Sequence, residues 1–197
     1  MMRDEILALF GARRGHFRYE SGHHGDLWLE IEPLYQRPGR VRILAAELAR
    51  KLSTLEIESV CGPLVGGAFL AQMVALELDV EFSFAEQFTR TTSDGLFPIG
   101  YRIPPALREG VRGRRTAIVD DVINAGSAVR GAFVDLIVCG AKPVALAALL
   151  VLGPSAESIA AERGLTLESL ARITSSLWEP IACPLCAAGQ SIGGVPD

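Results

Sequence analysis

Two adjacent aspartates, Asp120 and Asp121, stand between a short apolar run and a small-residue turn, and this order constrains the fold more than any other feature. The run at 117–119 has the β-branched composition of a strand buried on both faces of a parallel sheet. The turn at 124–127 leads into a helical pattern that continues to about Cys139. The sequence therefore predicts a strand, a turn and a helix in immediate succession.

That succession predicts a phosphate-binding site. The backbone N–H groups at the start of a helix lack intrahelical partners, and the helix dipole favours an anion there. Gly126 allows the backbone to approach a cluster of oxygen atoms. Ser127 is expected to act both as helix N-cap and as a hydroxyl donor to the phosphate.

The aspartates need a different partner, because two carboxylates repel a phosphate. Sugar hydroxyls and a hydrated Mg²⁺ ion are the groups that suit Asp120 and Asp121. A ligand that carries a phosphate, a diol and a metal-bound polyanion combines all of these features. The alternative is an ordinary strand-to-helix crossover with acids at the strand end.

A second strand–turn–helix pattern lies earlier in the chain. The short apolar run at 57–61 continues directly into the glycine-rich turn at 63–67, and a helical pattern follows. No Lys-Ser/Thr pair follows the turn, so it is not a Walker A loop. Two such turns at the ends of parallel strands indicate two binding sites for the anionic groups of one ligand.

The alternation of strand and helix patterns predicts an α/β fold with a doubly wound parallel sheet. At 197 residues the chain is long enough for one domain with a substantial core. An amphipathic helix is expected at 38–53. Near the N-terminus, Phe17 and Tyr19 begin an alternating pattern, and a Ser-Gly turn joins it to a second pattern at 27–31, as in two paired strands.

The residues around the aspartates closely resemble the motif with which type I phosphoribosyltransferases bind 5-phosphoribosyl-1-diphosphate (PRPP). That motif is an apolar strand, two acids, two apolar residues and a Thr/Ala-Gly-Thr/Ser turn, and Asn124 stands where the family often has Thr. The N-terminal segment resembles the G-H-F-x-x-x-S-G-x-x-S element of orotate phosphoribosyltransferases, with Gly25 in place of the last Ser. The C-P-L-C tail at 183–186 also occurs in a subset of those enzymes.

This resemblance implies the type I phosphoribosyltransferase fold with a small N-terminal hood region. It implies a single domain with a hood segment at 1–37, a PRPP-binding core at 38–180 and a tail at 181–197. The implied activity is transfer of phosphoribosyl from PRPP to a pyrimidine base, with orotate as the expected acceptor and diphosphate as the released product. The implied cofactor is Mg²⁺, and the implied assembly is a homodimer.

The resemblance also assigns roles to residues. Catalytic roles fall to Asp120, Asp121 and Arg90, with Mg²⁺ held through PRPP and water rather than by a direct protein ligand. His24 and Trp28 are expected to border the base. The PRPP-binding residues are expected to be Asn124, Ala125, Gly126 and Ser127 for the 5′-phosphate, and Pro63, Leu64, Val65, Gly66 and Gly67 for the diphosphate.

The polar stretch at 86–98 departs from the family pattern. Orotate phosphoribosyltransferases usually place a catalytic lysine in a mobile loop here, whereas Arg90 is the basic residue of this stretch. Arginine binds phosphate well but does not shuttle protons. Two alternatives therefore stay open: a phosphoribosyltransferase for another base, and a catalytically weak regulatory protein that binds PRPP.

The chain has four cysteines, and two of them form the C-P-L-C motif of Cys183 and Cys186. One C-x-x-C is half of a zinc site, but no second pair and no histidine lies near it in the sequence. The favoured interpretation is a plain turn with two thiols. Metal binding, possible across a dimer, is the alternative.

Charge and hydropathy exclude other classes of partner. A net charge of −4 argues against nucleic acid as the main partner. No apolar run reaches the ~18 residues needed to cross a membrane. The N-terminal residues carry acids and lack the apolar core of a signal peptide, so a cytoplasmic protein is expected.

Overall fold

The computed structural model of the chain describes residues 9–89 and 96–193. Within them the strands are β1 Gly11–Arg18, β2 His24–Glu30, β3 Ser59–Pro63, β4 Glu81–Thr89, β5 Ile99–Arg102, β6 Arg115–Ile123, β7 Lys142–Leu152, β8 Thr166–Ile173 and β9 Leu177–Trp178. The helices are α1 Glu32–Tyr35, α2 Pro38–Leu52, α3 Gly66–Leu78, α4 Ser127–Val138, α5 Ser155–Arg163 and α6 Pro184–Ala187. Short 3₁₀ turns lie at Ser53–Leu55, Pro105–Leu107 and Pro180–Ala182. None of the described helices is both long enough and apolar enough to cross a membrane.

The larger sheet has the strand order β5-β4-β3-β6-β7-β8. All neighbouring pairs are parallel except β4 and β5, which are antiparallel. Ala117 and Val119 of β6 contribute to a core with α2 and α3, whereas Ile118 contributes to a second core with α4 and α5. Helices on both faces of a mainly parallel sheet confirm the predicted doubly wound α/β fold.

Helix α2 illustrates why the periodic pattern was informative. Five of its apolar residues recur at intervals of three and four, so they form one stripe along the helix. All of them are buried in the first core: Val41, Leu44, Ala45, Leu48 and Leu52. The predicted helix at 38–53 is therefore observed with its predicted buried face.

Helix α4 ends in a left-handed glycine. Gly140 has φ +79°, its N–H donates to the carbonyl of Ile137, and the N–H of Ala141 donates to the carbonyl of Leu136. This pair of bonds is the Schellman arrangement, which satisfies carbonyl groups that the helix end would otherwise leave unpaired. The helix thus stops where the chain must turn back to start β7.

A separate antiparallel sheet has the order β1-β2-β9. The predicted pairing of two N-terminal strands is observed, with Phe17 opposite Gly25 and a register shift between Arg14 and Phe17. The third strand, β9, comes from the far end of the chain and pairs His24 with Trp178. The small sheet therefore combines segments that are about 150 positions apart in sequence. The division at residues 37 and 180 stays a prediction.

Candidate functional site

The two glycine-containing turns lie side by side because their strands are neighbours. Strands β3 and β6 are parallel and paired, with Val60 opposite Ala117, so their carboxyl ends meet at the same edge of the sheet. The turn after β3 therefore meets the acid pair that β6 carries near its end. A Cβ atom on Gly66 would clash with the Asp121 carboxylate, and one on Gly67 would clash with Asp120.

The acid pair is buried and bound to its own backbone. Each aspartate is 8% exposed, the N–H of Asp121 donates to Asp120 Oδ1 over 3.0 Å, and the N–H of Val122 donates to Asp121 Oδ1 over 2.7 Å. The Tyr35 hydroxyl lies 3.1 Å from Asp121 Oδ2 and 2.7 Å from the Gly66 carbonyl. Tyr35 thus links the acid pair to the first turn.

Burial sets the electrostatics of the pair. It raises the pKa of Asp120 well above its ordinary value, and the neighbouring charge of Asp121 raises it further. Burial also raises the pKa of Asp121, while hydrogen bonds from Val122 and Tyr35 act in the opposite direction. A cation or a hydroxyl donor beside the pair would favour the charged form of both groups.

The second turn has a different geometry from the one that the sequence predicted. Gly126, at φ +79°, is the N-cap of α4, and Ser127 is the first residue of the helix rather than its cap. The left-handed conformation favours glycine at this position, and a Cβ on Gly126 would clash with Ile159. The Ser127 hydroxyl instead donates to Glu20 Oε1 over 3.2 Å.

A cleft of about 320 Å³ opens between this turn and the small sheet. Its polar wall contains Asp120 and the whole turn at 124–127. Its opposite wall carries Tyr19, Glu20 and Trp28. The structure therefore brings together the residues predicted for the 5′-phosphate, one of the two aspartates and one of the two residues predicted for the base.

Trp28 belongs to an aromatic cluster. Its ring stacks on Tyr19 with centroids 6.5 Å apart and packs against Phe17 at 5.8 Å. A Cβ on Gly25 would clash with the Tyr19 ring, which explains why this chain has glycine where the resembling element has serine. The absence of a side chain at Gly25 thus leaves room for the Tyr19 ring in the wall of the cleft.

His24, which was expected to border the base, is not among the described residues that line the cleft, and its role at the base stays a prediction. It is 5% exposed, and its ring lies 3.0 Å from His16 and 3.2 Å from Cys186. His24 and Trp28 are four residues apart on β2, so alternation alone would put them on the same face. Their surroundings differ because β9 pairs with β2 at His24 and not at Trp28.

Sequence reasoning missed a polar network at the mouth of the cleft. Glu20 accepts hydrogen bonds from Tyr101 at 3.0 Å, Gln87 at 3.1 Å and Ser127 at 3.2 Å. Burial, followed by the Glu20 charge, raises the pKa of Tyr101. No sequence pattern singles these residues out, since they come from separate elements. Arg90, predicted as catalytic, lies outside the described residues.

The turn at 63–67 passes from β3 into α3. The N–H of Leu64 donates to the carbonyl of Ala85 over 2.9 Å, and the Leu64–Val65 peptide is cis. Helix α3 begins at Gly66 and runs for 13 residues. Its first two residues, Gly66 and Gly67, lie against the carboxylates of Asp121 and Asp120. The structure thus places this turn at the edge of the sheet, with Gly66 beside Asp121 and Gly67 beside Asp120.

Comparison with known proteins gives the family that the motifs indicate. A profile described as a phosphoribosyl transferase domain matches residues 30–167. The chain belongs to the phosphoribosyltransferase family. It is 32% identical over 195 residues to the orotate phosphoribosyltransferase of Pelotomaculum thermopropionicum, with 96% of this chain and 94% of the relative covered. It is 30% identical over 190 residues to the orotate phosphoribosyltransferase of Nitratiruptor sp., with 90% and 88% covered.

Solved structures agree at the level of the fold. The orotate phosphoribosyltransferase of Aeropyrum pernix superimposes with a TM-score of 0.64 at 22% identity, covering 87% of this chain and 94% of that one. The adenine phosphoribosyltransferase of Giardia lamblia complexed with 9-deazaadenine gives 0.67 at 15% identity, covering 88% and 98%. The predicted family resemblance is confirmed.

Proposed function

We propose that this phosphoribosyltransferase transfers the phosphoribosyl group of PRPP to a ring nitrogen of orotate. The bond between ribose C1 and the diphosphate oxygen breaks, a bond from C1 to nitrogen forms, and the products are orotidine 5′-monophosphate and diphosphate. One observation carries the proposal. Two helix-starting turns flank a buried acid pair at the ends of adjacent strands, which matches a ligand with two anionic ends and a diol between them.

The turn at 124–127 is the proposed 5′-phosphate site. It starts a helix of 12 residues, so free N–H groups and the helix dipole favour a dianion there. Ser127 supplies a hydroxyl once it exchanges its bond to Glu20 for one to the phosphate. Binding energy at this remote group fixes the position of C1 for the reaction.

Asp120 and Asp121 are the proposed acceptors for the ribose hydroxyls. Asp120 lines the cleft, and Asp121 is oriented behind it by Tyr35 and the backbone. The pair also fits a Mg²⁺ ion held through PRPP and water, because two adjacent buried acids favour a cation nearby and their oxygens accept hydrogen bonds from its water shell. Mg²⁺ would neutralise the charge that develops on the leaving diphosphate.

The turn at 63–67 is the proposed diphosphate site. Its glycines remove side chains where the backbone meets Asp120 and Asp121, so its N–H groups lie close to the place where C1 is held. Arg90 is proposed to add positive charge there, since it follows directly on β4. Trp28 and Tyr19 are proposed to offer a flat apolar surface to the base.

A transfer assay with PRPP, Mg²⁺ and a panel of bases tests the proposal. Diphosphate release is expected with orotate and not with adenine, guanine, hypoxanthine or uracil. Release with another base alone would assign a different acceptor. PRPP binding without release of diphosphate with any base would indicate the regulatory alternative.

The cytoplasmic location stays a prediction.

We also propose a homodimer. Helix α3 and the turn before it expose three apolar side chains on one stripe: Val65 at 64%, Phe69 at 47% and Leu76 at 74%. Sedimentation of Leu76→Glu is expected to give a monomer if this face forms the interface. Val138→Glu is the matched control, because Val138 is 72% exposed on α4 at the other face of the sheet. A dimer that persists in Leu76→Glu, or dissociates equally in both variants, would contradict the proposed face.

A further inference from the structure

Four potential metal ligands converge at one end of the small sheet, away from the cleft lining. His16 comes from β1, His24 from β2, and Cys183 and Cys186 from the C-P-L-C turn. Their ligand atoms all lie within 4.8 Å of one another. The sequence offered no histidine near the cysteines, but the pairing of β2 with β9 brings the two halves together.

The distances between the ligand atoms suit a small tetrahedral ion. Zinc bonds of about 2.0–2.1 Å to nitrogen and about 2.3 Å to sulfur place tetrahedral ligands roughly 3.3–3.8 Å apart. Here His16 Nε2 lies 3.0 Å from His24 Nδ1, 3.5 Å from Cys183 Sγ and 3.6 Å from Cys186 Sγ. Cys186 Sγ lies 3.2 Å from His24 Nδ1.

The hydrogen-bond partner of His16 fixes the side of the ring that faces the cluster. Its Nδ1 lies 2.8 Å from the carbonyl oxygen of Gln190, which only accepts, so Nδ1 carries the hydrogen. In the neutral ring Nε2 then carries no hydrogen, and its lone pair is directed at His24, Cys183 and Cys186. One lone pair accepts one hydrogen well, whereas a cation satisfies all four groups together.

We propose that His16, His24, Cys183 and Cys186 bind one structural Zn²⁺ ion that fastens the β1–β2 hairpin to the C-terminal segment. Four protein ligands fill a tetrahedral shell and leave no position for substrate, which is the pattern of a structural site. Two histidines and two thiolates also match the ligand softness that selects zinc.

The site has a consequence for the cleft. Tyr19, Glu20 and Ser21 lie in the chain between the two histidines, and all three line the cleft. An ion that holds the ends of this segment fixes the wall formed by its middle. His24 thus anchors one end of the segment that forms this wall, although its own side chain does not line the cleft.

Metal analysis of the untagged, full-length protein tests the proposal without reference to activity. After growth with zinc and desalting, we expect about one zinc per chain. The double variant Cys183→Ser/Cys186→Ser is expected to lose at least about nine-tenths of it. His23→Asn and Cys139→Ser are matched controls, because each removes a residue of the same type outside the cluster, and both are expected to keep the zinc. Wild type without zinc, or equal zinc in the double variant, would overturn the proposal.

A second measurement needs no variant. Protein stripped of metal and titrated with Co²⁺ alone is expected to develop the intense visible bands of tetrahedral cobalt together with sulfur-to-metal charge transfer. The same stripping is expected to lower Tm by about 5 °C or more, because metal binding stabilises only the folded chain. A weak octahedral cobalt spectrum, or no binding, would overturn the assignment.

Discussion

The two helix-starting turns look alike in the sequence, but the structure uses their glycines for different reasons. At 63–67 the glycines Gly66 and Gly67 leave room for the carboxylates of Asp121 and Asp120. At 124–127 the single Gly126 provides a left-handed conformation and leaves room for Ile159. The first turn is shaped by the site and the second by the fold. Substitutions should therefore harm catalysis at the first turn and stability at the second.

Gly66→Ala is expected to have the largest effect on transfer. The new Cβ displaces Asp121 and the Tyr35 ring, and a displacement of about 1 Å at a reacting site costs about 100-fold in kcat/KM. Steady-state kinetics with PRPP and orotate measure this. Gly39→Ala is the matched control, since Gly39 is also near a helix start and its Cβ would meet nothing within 4 Å. Equal kcat/KM values in the two variants would contradict the argument that Gly66 is needed to leave room for Asp121.

Asp120→Asn is expected to lower kcat/KM by about 10- to 100-fold, because a charged acceptor for the ribose is lost. The Asn oxygen still accepts from the Asp121 N–H, so the fold is kept.

The same variant is expected to be more stable at pH 7. The pKa of Asp120 in the folded chain lies above its ordinary value of 3.8. Between pH 3.8 and that raised pKa, Asp120 is ionised in the unfolded chain but keeps its proton in the folded chain. Stability of the ligand-free wild type therefore falls as pH rises through that window. Asp120→Asn should lack this part of the slope and gain about 2–4 °C in Tm at pH 7, the shift expected for about 1 kcal/mol. Identical melting profiles from pH 5 to 8 would contradict the burial argument.

Gly126→Ala is expected to raise the KM for PRPP by about tenfold and to destabilise the fold by about 2–4 kcal/mol, since left-handed strain and the clash with Ile159 add together. Gly164→Ala separates the two causes. Gly164 has φ +65° with nothing near its Cβ, so its substitution should cost only about 1–2 kcal/mol. Urea unfolding of both variants gives the comparison, and equal costs would remove Ile159 from the explanation.

Glu20→Gln is expected to have the smallest effect. Its oxygen still accepts from Ser127, but the negative charge beside the proposed phosphate is gone, so the KM for PRPP should fall about two- to fivefold at low salt and less at high salt. A higher KM would instead assign Glu20 a favourable contact with the sugar. The Glu20→Asp variant retains the charge and serves as the control.

Some of this site was predictable because its signals are local. The order of strand, acids, turn and helix around Asp120 lies within one continuous stretch, and the buried alternation of Ala117, Ile118 and Val119 follows from a sheet covered on both faces. The prediction that Ser127 is the N-cap was wrong, because the left-handed Gly126 takes that position.

The sequence by itself determined the doubly wound sheet, the two turns and their shared edge, since hydrophobic period and turn chemistry act over a few residues. Only the tertiary structure decided which distant groups meet there. Glu20 meets Gln87, Tyr101 and Ser127 from four separate elements, and His24 turns from the expected base pocket towards two cysteines about 160 positions away. Such contacts depend on strand order and register, which packing of the whole chain sets and no local pattern contains.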